Sequence, residues 1–230
     1  MSELWEAFLQ AIQLIVTLNS EVVDIALRSL AISATAVVLA SLICIPLGGL
    51  IHFRNFQGKH VLINVIQTFY SIPTVCVGVF VFIFISRAGP LGGLNLLFTP
   101  AAVAIGQMVL ITPILMGLTI SALSGVDKAI KDSALSSGAT EFQAISTIIK
   151  EARFAVAAAL IMGFGRAISE VGAAMILGGN IRGYTRVLTT AISLETQKGE
   201  LVLALALGII LIALALVINI IVNVALQRYR

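Results

Sequence analysis

Charge is what this sequence has least of. Only 11% of its 230 residues are Asp, Glu, Lys or Arg, too few to cover the surface of a soluble domain of that length. Its two histidines, His52 and His60, stand at no metal-ligand spacing with another donor, so no metal site is expected. Its two cysteines, Cys44 and Cys76, fall inside apolar runs, where a thiol packs as a small apolar group and no oxidising compartment reaches it. No GxxxxGK[ST] phosphate loop, HExxH helix or GxSxG elbow occurs. No catalytic residue is therefore assigned, and no ATP site or cofactor is expected in this chain.

What the sequence does have is apolar length. Hydrophobic residues make up 59% of it, more than a soluble core of this size can hide, and the chain reads as an all-α integral membrane protein. Four runs without a charge are long enough to cross a hydrocarbon layer: 29–51, 61–86, 101–125 and 201–226. A fifth, 154–177, is long enough but contains Arg166 and Glu170. Five transmembrane helices follow, since only closed hydrogen bonding survives in lipid. The run 201–226 is almost wholly aliphatic and is the span expected to face lipid. Ahead of them, residues 1–20 alternate acids and amides with Leu4, Trp5, Phe8, Ile12 and Ile15 at helical spacing, an amphipathic helix too short to cross and expected at the interface. Its acidic start and the lack of a small-residue cleavage site argue against a cleaved signal peptide.

Lys and Arg in short loops set the orientation. With the amino terminus outside, Arg54, Lys59, Lys128, Lys131, Lys150, Arg153, Arg228 and Arg230 fall on the cytoplasmic side, against Arg28, Arg87, Arg182, Arg186 and Lys198 outside. The carboxyl terminus is then cytoplasmic. The net charge of +3 mostly reflects this sidedness and indicates no nucleic-acid partner.

Two spans carry internal prolines in polar company, "QTFYSIPTVCVG" around Pro73 and "GQMVLITPILMG" around Pro113. A proline inside a helix removes a donor and kinks the chain. Either these are bundle kinks only, or Pro73, Thr74 and Thr112, with Gln67, Thr68, Ser71 and Gln107, line a polar pathway. The longest inner loop, 126–152, has Leu135, Ala139, Phe142, Ile145 and Ile149 recurring at helical spacing, with Gly138 interrupting. Such a face docks on a partner or lies flat on the inner leaflet.

Within that loop, "DSALSSGATEFQAISTIIKEA" resembles the coupling loop of ABC importer permeases, whose pattern is EAA, three residues, Gly, nine residues, Ile, one residue, Leu-Pro. Asp132, Ala134, Gly138 and Ile148 fall in register; Asp132 and Ser133 depart from Glu and Ala, and Lys150 and Glu151 stand where Leu-Pro would be. The next stretch, "GFGRAISEVGA", resembles the Arg, three residues, Glu element of the oxyanion branch, which imports molybdate, tungstate, sulfate or phosphate. The longer run "ISEVGAAMILGGNIRGYTRVLTTAI" is most similar to the tungstate-type permeases, and the likeness covers nearly the whole chain.

The resemblance implies a type I ABC importer permease in the plasma (inner) membrane, with residues 21–230 as the transmembrane domain. It implies a homodimer, two ATPase subunits that bind ATP and Mg on separate chains and dock on the loop through Asp132, Ala134, Gly138, Phe142 and Ile148, and an extracytoplasmic binding protein. Arg182, Tyr184 and Arg186 in the outer segment offer donors to that protein or to an oxyanion; the alternative is a solvated loop. Arg166 and Glu170, with Ser169 between them, sit one helical turn apart among small residues. They are either a packing element glued by one salt bridge or a gate on the anion path. A secondary transporter would show inverted repeats, which are not detectable, and a membrane enzyme lacks its reactive residues.

Overall fold

The computed structural model describes residues 2–227, all helix, turn or loop with no strand among them. Arg228 and Arg230, counted above on the cytoplasmic side, lie outside the described residues. Helix α1 (Ser2–Val16) leads through a short turn to α2 (Ser20–Phe53), whose start is capped by Asn19: the side-chain carbonyl accepts from the Glu21 and Val22 amides at 3.1 and 3.4 Å. At 34 residues α2 is about 51 Å long, well beyond a hydrocarbon layer of roughly 30 Å. Its extra length carries Glu21 past the apolar run that begins at Ser29.

The second expected span is not one straight helix. Helix α3 (Lys59–Thr68) closes in a 3-10 turn (Phe69–Ser71), and α4 (Thr74–Ile85) restarts at 102° to it. Pro73 is the cause. It lacks an amide hydrogen and forces Ile72 into extended backbone (φ −61°, ψ 132°). Pro113 has no such effect, and α5 (Pro100–Ser124) runs through it unbroken, capped by Thr99 and started by Pro100 at its first turn. The fifth expected span is also broken: α8 (Arg153–Ile168) and α9 (Gly172–Gly178) meet at 60°. Between them and α5 lie α6 (Lys128–Ser136) and α7 (Glu141–Glu151); α10 (Leu188–Lys198) and α11 (Leu201–Gln227) complete the chain. Among the described residues three helices are thus long and apolar enough to cross a membrane unaided, or up to five spans if each bent pair is one, by length and composition.

Helices α2 and α5 run side by side in the same direction, with α8 returning across both. Ala40 and Cys44 of α2, Ile111 and Leu115 of α5 and Ala167 of α8 form their shared core. A second core joins Val77, Val81 and Ile85 of α4 to Ala102 and Leu110 of α5 and Ala173 and Leu177 of α9. A third ties Val22 and Ile25 to Leu188 and Ala191 of α10 and Leu207 of α11. Helix α1 has a protein partner as well, packing along α11 with Ala11 fully buried. The far side of α11 leaves Ile212, Leu216, Val217, Ile220 and Ile221 exposed, a surface fit only for lipid or another apolar partner.

Small residues set these distances. A Cβ added at Gly163 would stand 2.6 Å from Leu115 Cδ2, and one at Gly78 would stand 2.9 Å from the Ala173 Cα on α9. The second clash is with backbone and cannot be relieved by a rotamer. Gly78→Val should therefore lower the thermal midpoint of the detergent-solubilised protein, at a cost of about 1–3 kcal/mol. Gly208→Ala, where nothing lies within 4 Å, should leave it unchanged or slightly raised.

Candidate functional site

The break between α8 and α9 is built around a carboxylate. Glu170 is 1% exposed, and a charge so placed must be held on all sides. Arg166 Nη1 lies 3.3 Å from Glu170 Oε2, and the Ala173 amide donates to Oε1 at 2.9 Å. The Glu170 carbonyl accepts from Thr189 Oγ1 at 2.6 Å, which pins α10 to the same point. The two residues are not on one continuous helix, as their i, i+4 spacing implies; α8 ends at Ile168, and the pair spans the bend. Each charge consequently sits at the helix end whose dipole favours it, Arg166 in the last turn of α8 and Glu170 ahead of the first turn of α9. Ser169 is exposed, its hydroxyl donating to the Arg166 carbonyl at 3.1 Å.

The proline break lies against this one. Thr74 Oγ1 and Val75 Cγ2 would stand 2.9 and 3.0 Å from a Cβ at Gly172, so the first turn of α4 and the first turn of α9 meet where only glycine fits. The N-terminus of α4, at Pro73, has no side-chain cap. Beside it Pro73, Thr112 and Pro113 line an open groove of 670 Å³ with Phe69, Cys76 and Phe80. The groove is apolar: Thr112 turns its hydroxyl back to the Met108 carbonyl at 2.8 Å. Gln107 is buried elsewhere, with no protein partner for Oε1. The structure therefore joins Pro73, Thr74, Arg166, Ser169 and Glu170 around two abutting bends and sets Thr112 in the adjoining apolar wall.

At the end of the bundle where α2 begins, three of the five basic residues that stood against the charge bias, Arg182, Arg186 and Lys198, have acidic partners. Arg182 donates to both carboxylate oxygens of Glu21, from Nε at 2.7 Å and Nη2 at 2.6 Å. This carboxylate raises the Arg182 pKa above its ordinary value, first by hydrogen bonding and then by charge. Arg186, 10% exposed, lies 3.4 Å from Glu195 and 3.9 Å from Glu21, and Lys198 reaches Glu195 at 3.1 Å. Arg28 donates to the Arg186 carbonyl at 3.1 Å. Tyr184 remains half-exposed, and Thr185 is buried with its hydroxyl on the Gly178 carbonyl at 2.6 Å. Sequence reasoning missed Glu21 and Glu195; the available signal was that these acids flank the unexplained arginines in the two segments predicted to share one side.

At the opposite end, α6 and α7 form a helical hairpin. Gly138 takes φ +84°, and the Gly138 and Ala139 amides donate to the Leu135 and Ala134 carbonyls at 3.0 and 3.1 Å, closing α6 with a left-handed cap. Thr140 and Gln143 then form a reciprocal capping box that starts α7. Phe142 is 80% exposed and Leu135 37%, whereas Ile148 is buried with Leu123 and Ala152 against Phe53, Val126 and Val156. The hairpin thus has an anchored side, carrying Ile148, and a projecting side, carrying Asp132, Gly138 and Phe142; Ala134 is half-buried between.

Comparison with known proteins decides what such a molecule is. The family described as binding-protein-dependent transport system inner membrane component matches residues 44–230. The chain belongs to this family. A probable anion ABC transporter permease protein of Haloferax volcanii is 40% identical, over 86% of this chain and 87% of its own length. The tungstate uptake system permease protein TupB of Peptoclostridium acidaminophilum is 38% identical, over 96% and 97%. Among solved structures, a bacterial alginate ABC transporter in complex with an alginate pentasaccharide-bound periplasmic protein matches with TM-score 0.75 at 20% identity, covering 100% of this chain and 89% of that one. The fold is that of an ABC importer permease.

Two substitutions separate the roles within the charged sites. Glu170→Ala removes both the Arg166 partner and the α9 cap; because Arg166 is a third exposed, the loss should be about 2–3 kcal/mol, while Glu170→Gln, which keeps the cap, should lose roughly 1 kcal/mol. Thermal unfolding in detergent measures both. At the other end, Arg186→Gln should cost roughly 2–3 kcal/mol, since Glu195 keeps only Lys198, whereas Arg182→Gln should leave the midpoint near wild type.

Proposed function

We propose that this chain is the permease subunit of an ATP-driven importer for an oxyanion, tungstate, working as a pair of copies with two separate ATPase subunits and an extracytoplasmic binding protein. The observation that carries the reading is the projecting hairpin α6–α7 in a chain 38% identical to a tungstate uptake permease over nearly its whole length. An exposed Phe142 beside a left-handed turn is a knob that needs a socket, and the register of Asp132, Ala134 and Gly138 with the coupling-loop pattern supports the ATPase as that socket. ATP and Mg bind on that partner. The amino terminus is outside and the carboxyl terminus cytoplasmic, which puts the hairpin on the side where ATP is. This chain supplies no bond-making step.

In this mechanism closure of the ATPases pulls on the hairpin, and Ile148 passes the pull into the ends of α2, α5 and α8 through its buried contacts. Rigid helices transmit it to the abutting bends, the weakest points along the spans. There Arg166, a third exposed and half neutralised by Glu170, eases a dianion through, helped by the uncapped start of α4. Glu170 keeps Arg166 from holding the anion too long, since conduction needs weak binding. At the other end Tyr184 and the surrounding basic cluster receive the binding protein, with Arg182 exchanging Glu21 for an acid of the partner.

Phe142→Ala tests the docking role without disturbing the fold, because the side chain is 80% exposed. The variant should melt as the wild type does, yet its complex with the cognate ATPase should lose most of the hydrolysis stimulated by loaded binding protein. Gly138→Val should lose the same stimulation through strain at φ +84°, together with some thermal stability. Wild-type stimulation in both variants would remove the hairpin from the coupling path.

A further inference from the structure

Beside the hairpin lies a cleft that shares Asp132 and Ile148 with the coupling hairpin but whose lysines the transport reading does not use. It has a volume of 560 Å³ and is walled on one side by His52, Asn55 and Lys59, from the α2–α3 junction, and on the other by Ser124, Lys128 and Lys131, from the end of α5 and from α6. Its floor is the apolar cluster of Phe53, Leu123, Val126 and Ile148. Three ammonium groups line it. None of the ion pairs formed among the described residues involves Lys59, Lys128 or Lys131. Two carboxylates line it as well, Asp132 and Asp127, whose Oδ1 accepts the Ala129 amide at 2.9 Å at the start of α6, so three cations stand against two anions. Lys59 is held in place by donating to the His52 carbonyl at 2.6 Å, and the His52 ring is hydrogen-bonded to Ser124 Oγ at 3.2 Å. The His52–Ser124 bond joins the two walls at the end of α5, and Lys128 and Lys131 lie beyond it on the hairpin.

With three ammonium groups against two carboxylates the cleft keeps a net positive charge, and an anion held between its walls relieves the repulsion among the cations. We propose that this cleft binds a phosphate-type oxyanion group, held between Lys59 on one wall and Lys128 and Lys131 on the other, and that occupancy ties α6 to the α2–α3 junction. Its size and its donors, three ammonium groups with Ser124 and Asn55 at the rim, suit a tetrahedral anion with several acceptor oxygens. The same chemistry is offered by the headgroup phosphate of an anionic lipid, for which the apolar floor and the position at the ends of crossing helices are suited, and by a free oxyanion from solution. The site is separate from the bends around Glu170, so its existence does not depend on what the protein transports.

Binding to the purified full chain tests this in two arms. Native mass spectrometry after exposure to phosphatidylglycerol or phosphatidylcholine vesicles reads the lipid arm, and calorimetric titration with inorganic phosphate and with tungstate reads the free-anion arm. Lys59→Gln/Lys131→Gln should weaken binding at least about tenfold, the cost of losing a charge-assisted contact. Lys128→Gln/Lys131→Gln, which spares the Lys59–His52 contact, should do the same, while Lys150→Gln, at the same end but outside the cleft, should not. Loss confined to phosphatidylglycerol identifies a lipid site, and loss confined to phosphate or tungstate identifies a soluble-anion site. Wild-type binding by both double variants in both arms, or an equal loss in Lys150→Gln, overturns the proposal. Because no arm reads transport or ATP hydrolysis, its failure is distinguishable from failure of the importer reading.

Discussion

A carboxylate with almost no access to solvent, at the middle of an apolar helix pair, is the constraint on which this structure turns. Glu170 cannot be buried alone; an unpaired charge at bilayer depth costs about 2.5–3.5 kcal/mol even on the lower scales. Its solution needs two donors from different directions, the Arg166 guanidinium and the Ala173 amide. An unbroken helix has no spare amide at that point, because each is engaged with a carbonyl one turn back. Opening the helix at 169–171 frees one, and the 60° bend between α8 and α9 is the result. The charge pair is thus both the reason for the break and the staple that holds it.

The rest of the architecture arranges itself around that point. Glycine at 172 lets the bend of α9 meet the bend at Pro73, so two discontinuities that would each be unsatisfied in lipid shelter one another. Thr189 ties the start of α10 to the Glu170 carbonyl, and α10 in turn carries Glu195, which organises the ionic cluster at one end of the bundle. At the other end the closed caps on either side of Gly138 make α6–α7 a stiff lever rooted by Ile148.

How far this was legible in the sequence depends on range. Features set within a few residues were readable: apolar runs long enough to cross, the interruption of the loop by Gly138, and the pairing of Arg166 with Glu170. The shape of those runs was not. Pro73 and Pro113 look alike in their neighbourhoods, yet only the first breaks its helix, because only there does the chain continue into extended backbone at the preceding residue. The exposed apolar face of the hairpin was legible too, since Leu135, Phe142 and Ile149 are all exposed. Its anchored side was not: burial falls on Ala144 and Ile148, where contact with Leu123 and Phe53 chooses the side. Least readable were the partners of Arg182 and Arg186. Arg182 meets Glu21 across 161 positions, a separation that local patterns do not reach.

The central claim is that this chain, with a separate ATPase and binding protein, moves tungstate inward at the expense of ATP. Reconstituting the three proteins in sealed vesicles and measuring accumulated tungsten against molybdate and sulfate competitors tests it most directly. The account predicts accumulation that needs ATP, the ATPase and loaded binding protein together, with tungstate preferred over both competitors. Accumulation that persists without the ATPase, or an assembled complex that hydrolyses ATP and moves none of the three anions, would contradict it.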